Sequence, residues 1–318
     1  MLNIYLIYIL KNWITHKILL KYIVIKNMNT LTIKAYAKIN LAINVLGKLE
    51  NGYHDIDMVT VPLFLHDTLE ITKLGAKYNT YLFSNDEKIP CDETNLVYKA
   101  LFALKADHKF TDNFKIYIYK RIPVEAGLGG GSSDAASIVK ELPALLANKI
   151  NDNYGPYSLA KQIGSDVSFF IKNKPARVRK VGEELEEIEI KCPYHVLLVK
   201  PSTGLSTKEV YSLYDDMKDD IIHPNIDELI SALRIDDEDK IQANLINVLT
   251  KPAISKLPII SDILFQMNNM NLPLSGMSGT GSTCFALSKD KKYLKAVASY
   301  FEKQGYQVFL TQLNLTQK

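Results

Sequence analysis

The sequence predicts an α+β fold in two domains. Three observations carry that reading. The chain has 318 residues, 47% of them hydrophobic and 23% charged, which suits about two ordinary cores. Strand-type alternation and helical spacing occur together in both halves, without the repeated βα alternation of a doubly wound sheet. Near Tyr194 the pattern turns from strand-rich to helix-rich, which sets expected domains at 28–193 and 194–318.

The elements follow in order. "LTIKAYAKINLAINVLGK", from Leu31, alternates apolar and polar in places, is rich in strand formers and stops at Gly47. Asn51-Gly52 is a strong turn signal, so a hairpin is expected there. "IDMVTVPLFL" and "DTLEITKL" read as two further strands. "TNLVYKALFALKADH" has apolar residues at Leu96, Val97, Ala100, Leu101 and Leu104, a helical spacing with Thr94 as its expected cap. "FKIYIYKRIPV" alternates as a strand. A helix is expected from about Ser133 until Pro143 ends or kinks it, and another over Tyr157–Ile163. "DVSFFI" and "ARVRKVG" read as short strands. Beyond the strand "YHVLLVKP", helices are expected at Thr207–Tyr214, Ile226–Leu233, Asp237–Val248 and Ile254–Met270. Strands Thr283–Leu287 and Gln307–Thr311 flank a helix at Lys291–Lys303.

Charge narrows the function classes. The net charge is +3, but residues 1–27 hold four lysines and no acid, so the body from Met28 onward is near neutral. That gives no electrostatic case for nucleic acid. Residues 1–27 read as a leader outside the fold. Lysine interrupts their apolar runs before a membrane-spanning length of about 20 residues is reached, so no stable insertion is expected. Arginine and a small-residue cleavage site are both missing from the segment. The three cysteines form no CxxC pair, which fits a reducing cytoplasm. His66, His108, His195 and His223 fall outside every motif.

The most informative stretch is "PVEAGLGGGSSDAAS", Pro123–Ser137. The first N–H groups of a helix lack partners and carry partial positive charge. Glycines just before them let the backbone bend and approach an anion closely. Ser132 and Ser133 add hydroxyl donors. The run is not a P-loop, because no lysine follows the glycines, and no βαβ unit with a following acidic residue makes it a Rossmann fingerprint.

This stretch resembles the nucleotide-binding motif of the GHMP kinases. "AKINLAINVLGKLENGYHD" and "LSGMSGTGSTCFAL" resemble the first and third motifs of that family, in the right order, and the resemblance covers about Leu31–Leu310. It implies an N-terminal domain like the second domain of ribosomal protein S5 and a ferredoxin-like C-terminal domain. It also implies ATP and magnesium as cofactors. Within the family, "AKINL…GYH", the triple glycine and "GSDVSFF" are similar to the branch acting on a diphosphocytidyl methylerythritol in non-mevalonate isoprenoid synthesis.

Two other readings stay open. One is a GHMP kinase acting on another small alcohol, such as homoserine or mevalonate. The other is a noncatalytic nucleotide- or RNA-binding module.

The residues themselves are compatible with phosphoryl transfer. A lysine among apolar strand residues, Lys38, needs a partner for its ammonium. Asp166, at the head of an apolar run, is the candidate base and that partner. Both match the family's catalytic pair. The family's Gly-x-Asp-Val-Pro reads here with Ser168 in place of proline, which loosens the expected turn after Asp166. Pro123, Val124, Glu125, Ala126, Gly127, Leu128, Gly129, Gly130, Gly131, Ser132 and Ser133 are expected to hold the nucleotide. Asn95 either joins them or caps a helix. Tyr53 can stack on a pyrimidine and His54 can bond its edge. Asn40, two residues from Lys38 on the same side of a strand, is expected to meet the erythritol part or to orient Asp166. Ser278, Gly279, Thr280 and Gly281 are possible contacts. The sequence names no metal ligand.

Overall fold

The computed structural model describes residues 30–146, 154–217 and 221–316. The expected leader, residues 1–27, lies outside them. Two sheets organise the rest. The first contains β1 (Thr30–Lys48), β2 (His54–Lys73), β3 (Tyr81–Ser84), β4 (Phe114–Tyr119), β5 (Ala176–Lys180) and β6 (Glu184–Glu187). Its order is β3-β4-β2-β5-β6, with β1 paired along β2.

β1 and β2 form the expected hairpin, closed by a Leu49 N–H bond to the Tyr53 carbonyl at 2.8 Å. β2 is one strand where two were expected. Its early half pairs with β5 and its late half with β4, while β1 runs beside both halves. Pro62, which has no N–H to give a ladder, sits between the halves. The register with β1 shifts there, between Tyr36 and Lys38, and shifts again between Asn40 and Ala42. Such irregularities re-aim side chains, and these two bracket Lys38 and Asn40.

Helices cover one face of this sheet. They are α1 (Leu96–His108), α2 (Gly130–Glu141), α3 (Pro143–Leu146), α4 (Pro156–Ile163) and α5 (Ser165–Lys172). α2 starts at Gly130, three residues before the expected Ser133. α1 is capped by Asn95, whose side chain accepts from the Val97 N–H at 2.8 Å. The expected cap, Thr94, is turned instead to Asp92.

The run "DVSFFI" is the main correction: it is helical, as part of α5. Val167, Ser168, Phe169, Phe170 and Ile171 are all buried. A short apolar run suits a buried strand or a buried helix equally, and burial on every side selects the helix here.

The second sheet contains β7 (His195–Lys200), β8 (Ser275–Met277), β9 (Cys284–Ser288) and β10 (Gln307–Gln312). It is antiparallel in the order β10-β7-β9-β8, the arrangement of a ferredoxin-like unit. Its helices are α6 (Thr207–Met217), α7 (Ile226–Ile235), α8 (Glu238–Asn244), α9 (Thr250–Lys256), α10 (Ile259–Asn269) and α11 (Lys291–Lys303). The single helix expected at Ile254–Met270 is two, α9 and α10, parted at Leu257–Pro258. α8 is shorter than expected and ends at Asn244.

β1 holds the two layers together. Ile33, Ala35, Ile43 and Val45 pack with the helices of the first layer. Ala37, Ile39 and Leu41 pack with Val196, Leu198 and Phe285 of the second. Residues 37–43 are therefore buried throughout. A lysine and an asparagine inside that stretch need partners.

Candidate active site

A cleft of about 1060 Å³ opens where the β1–β2 hairpin, the glycine run, the start of α5 and α6 meet. That is slightly more than the roughly 300–1,000 Å³ of an ordinary small-molecule pocket.

One wall is the glycine run. Pro123 through Ser132 line the cleft, while Ser133 is buried behind it. Gly129 takes a left-handed φ of 72° at the N-cap of α2. Among the described residues the first three N–H groups of α2, on Gly130, Gly131 and Ser132, have no protein partner. Free N–H groups at a helix start are the kind an anion would meet.

The glycines serve different purposes. A Cβ on Gly127, whose φ is +69°, would lie 2.1 Å from the Ser278 carbonyl oxygen. On Gly130 it would meet Lys120 and Ile122 at 3.1 Å. Gly127 is required by the protein's own packing, while at Gly130 the neighbouring side chains would have to give by a few tenths of an ångström. A Cβ on Gly131 would meet only Leu96, at 3.8 Å, and otherwise faces open space. Gly131 is thus the position where a close ligand alone would demand glycine.

The second glycine run is fastened to the first. Ser278 Oγ donates to the Gly127 carbonyl at 2.9 Å and accepts from the Asn40 N–H at 3.2 Å. Asn247 Nδ2 donates to the carbonyls of Met277 and Gly279, both at 2.8 Å. Ser278 is therefore a buried fastener, while Gly279, Thr280 and Gly281 line the cleft.

The floor carries the expected pair. Lys38 Nζ lies 4.0 Å from Asp166 Oδ2. It donates a shorter bond, 2.6 Å, to Asn40 Oδ1. Burial pulls the Lys38 ammonium below the usual lysine range, and Asp166 opposes that pull. Asn40 donates in turn to Thr60 Oγ1 at 2.9 Å. Asn40 thus holds Lys38, which in turn faces Asp166. Asp166 stands in the first turn of α5, where negative charge is favoured. Ser168 is buried within the same helix, so helical backbone positions Asp166 whatever the missing proline would add.

The opposite wall holds the hairpin tip. Tyr53 is 62% exposed and lines the cleft, so it does not fill core. His54 lines the cleft beside it. Asn95 is not part of the lining; its side chain caps α1 and also donates to the Pro90 carbonyl. Among the described residues no group of three His, Cys, Asp or Glu side chains could hold a metal ion. Nor is any helix there long and apolar enough to cross a membrane.

Comparison with known proteins agrees with this geometry. The GHMP kinases N terminal domain profile matches residues 95–174, and the GHMP kinases C terminal profile matches 217–307. A 4-diphosphocytidyl-2-C-methyl-D-erythritol kinase of Clostridium beijerinckii is 37% identical over 88% of this chain and 98% of its own length. The chain belongs to the GHMP kinase family. A kinase of the same name from Bacillus pumilus is 38% identical over 80% of this chain and 86% of its own. A crystal structure of a 4-(cytidine 5'-diphospho)-2C-methyl-D-erythritol kinase superposes with a TM-score of 0.75 at 26% identity, covering 89% of this chain and 99% of that one. A homoserine kinase from Cytophaga hutchinsonii, at 15% identity and a TM-score of 0.70, shares the fold. The GHMP kinase architecture is thus the α+β pair of domains read from the sequence.

Sequence reasoning missed two parts of this GHMP kinase site. Behind Gly130, Lys120 is buried between Asp67 and Asp134, with its ammonium 2.9 Å from Asp134 and in contact with Asp67. Asp67 also accepts from the N–H groups of Arg121 and Ile122. Asp134 lies inside the quoted glycine stretch, so its neighbourhood was visible but its partners were not. The second part is α6, whose Tyr211, Ser212 and Asp215 line the cleft beside the hairpin tip.

Proposed function

We propose that this GHMP kinase transfers the γ-phosphoryl group of ATP to the 2-hydroxyl of 4-diphosphocytidyl-2-C-methyl-D-erythritol, in the non-mevalonate route to isoprenoid precursors. The observation that carries the reading is the Lys38–Asp166 pair, set in one cleft with both the free N–H groups of α2 and the Tyr53–His54 tip. The names of the relatives supply the substrate.

In this reading the triphosphate rests on the free N–H groups of α2, with Gly131 giving close approach. The diphosphocytidyl end lies along the hairpin tip, with the base on Tyr53 and its edge at His54. The 2-hydroxyl then faces Asp166. Its oxygen attacks the γ-phosphorus, the bond from that phosphorus to the β–γ bridging oxygen breaks, and the hydroxyl proton passes to Asp166. ADP leaves with the bridging oxygen. Lys38, held by Asn40, stabilises charge on the moving phosphoryl group. Arrival of the phosphate favours the charged ammonium that burial disfavours.

Magnesium suits the oxygen donors present. The phosphate oxygens and waters would hold most of it, since magnesium keeps several waters and needs few protein ligands. When bound it neutralises phosphate charge.

We place the domain limits at 28–193 and 194–318, since β6 closes the first sheet and β7 opens the second. We place the enzyme in the cytoplasm; Cys91, Cys192 and Cys284 are unpaired, as a reducing compartment would keep them. A coupled assay of ADP release, with and without the cytidylyl substrate, tests the function. Turnover should depend on that substrate and not on homoserine or mevalonate. Turnover with either of those two instead would reject the assignment.

A further inference from the structure

The residues that hold His54 come from the other half of the chain. Tyr211, Tyr214 and Asp215 share one face of α6, at spacings of three and four residues. Tyr211 stacks on the His54 ring, with centroids 4.7 Å apart and planes 25° apart. Tyr214 meets the same ring edge-on at 6.4 Å and anchors α6 by donating to the Val45 carbonyl at 3.2 Å. Asp215 Oδ1 lies 2.8 Å from His54 Nε2, and its other oxygen accepts from Lys48 at 2.7 Å. The imidazole is thus fixed in plane and in rotation.

The chemistry of the pair sets the tautomer. Burial raises the Asp215 carboxyl, but hydrogen bonds from Lys48 and His54 outweigh it and hold the group below the usual carboxylate range. An ionised carboxylate only accepts. His54 Nε2 therefore carries the hydrogen. In the neutral ring Nδ1 is then a bare acceptor, and it has no protein partner among the described residues. A bare acceptor welcomes the exocyclic amino group of cytosine. It repels the O4 acceptor that uracil presents at the same position.

We propose that Asp215 is a specificity-determining positioning residue, which makes the cleft select a cytosine over a uracil base by fixing the tautomer and orientation of His54. This rests on the cytidylyl reading given above and adds the group that enforces it. Asp215 acts through His54 and not on the reacting atoms. Its loss should raise KM for the cytidylyl substrate far more than it lowers kcat. A site built to meet one hydrogen-bonding pattern rejects its reverse because a buried polar group is left opposed.

The test compares the cytidylyl substrate with its uridylyl analogue, by kcat/KM, in four proteins. The native enzyme should prefer the cytidylyl substrate. Asp215→Ala should erase about 10- to 100-fold of that preference, and Asp215→Glu should restore part of it. ¹⁵N NMR of the His54 ring should show hydrogen on Nε2 in the native enzyme and a mixture of tautomers in Asp215→Ala. His54→Ala separates the two claims. If His54→Ala loses the preference while Asp215→Ala keeps it, with an unchanged tautomer, the inference about Asp215 is wrong and the base reading stands. If His54→Ala itself keeps the native preference, the base is not read at this tip and both fall.

Discussion

Lys38 and Asn40 are joined on one edge of β1 by a 2.6 Å bond, shorter than the 4.0 Å that separates Lys38 from Asp166. The register shifts on either side of this pair explain how two polar side chains share the most buried part of the strand. The ammonium is held in waiting by a neutral amide.

Asn40 should therefore matter to rate more than to binding. Asn40→Ala leaves the Lys38 ammonium without its nearest acceptor and Thr60 without a donor. A buried group left unpaired costs about 1–3 kcal/mol. The expected outcome is a roughly 10- to 100-fold fall in kcat, with the Kd for ATP almost unchanged by calorimetry. A loss of ATP binding equal to the loss of kcat would place Asn40 at the nucleotide instead.

The glycines should divide into two classes. Gly127→Ala puts a Cβ 2.1 Å from a backbone oxygen at a positive φ, so the variant should unfold at lower temperature. The left-handed backbone alone costs about 1–2 kcal/mol. Gly131→Ala has space within the protein. Its Tm should match the native value, and alanine is the better helix former. Its KM for ATP should nonetheless rise, since the methyl group meets the phosphates. A native KM in a well-folded Gly131→Ala would remove the close approach from the cradle.

The ion cluster behind the cradle predicts a pH effect on stability. Burial raises the Asp134 carboxyl to about 7, Lys120 opposes the rise, and Asp67 adds to it. The folded state then keeps a proton that the unfolded chain releases near 3.8. This contribution to stability is full below that value and is lost as pH rises toward about 7. Asp134→Asn cannot titrate, so denaturant unfolding of the variant should lose that part of the slope between pH 4 and 7. Identical slopes in the two proteins would mean that Asp134 is ionised throughout.

How much of this was legible follows from the range of each interaction. The cradle could be read because its parts, free N–H groups and glycines, lie within a few residues of each other. Lys38 and Asp166 could be picked out by the family resemblance together with the cost of a lone buried lysine. The helix under Asp166 could not, because "DVSFFI" is apolar on every side and has no period. What holds His54 was hidden, since Asp215 lies 161 residues away. Lys120 was hidden in the same way, with one partner 53 positions distant. The interruption at Pro258 carried a signal in the sequence, whereas the joining of two strands into β2 depends on β1 running beside both.

The measurement that bears most directly on the central claim is single-turnover kinetics of Asp166→Asn with saturating ATP and the cytidylyl substrate. Asparagine is nearly the same size and cannot take the hydroxyl proton. A positioned base contributes about 10²- to 10⁴-fold, so the chemical step should slow by that factor. ATP should bind as before, because the N–H groups of α2 and Gly131 carry that interaction. A chemical step at the native rate in Asp166→Asn would contradict the account and leave Asp166 as only a structural partner of Lys38.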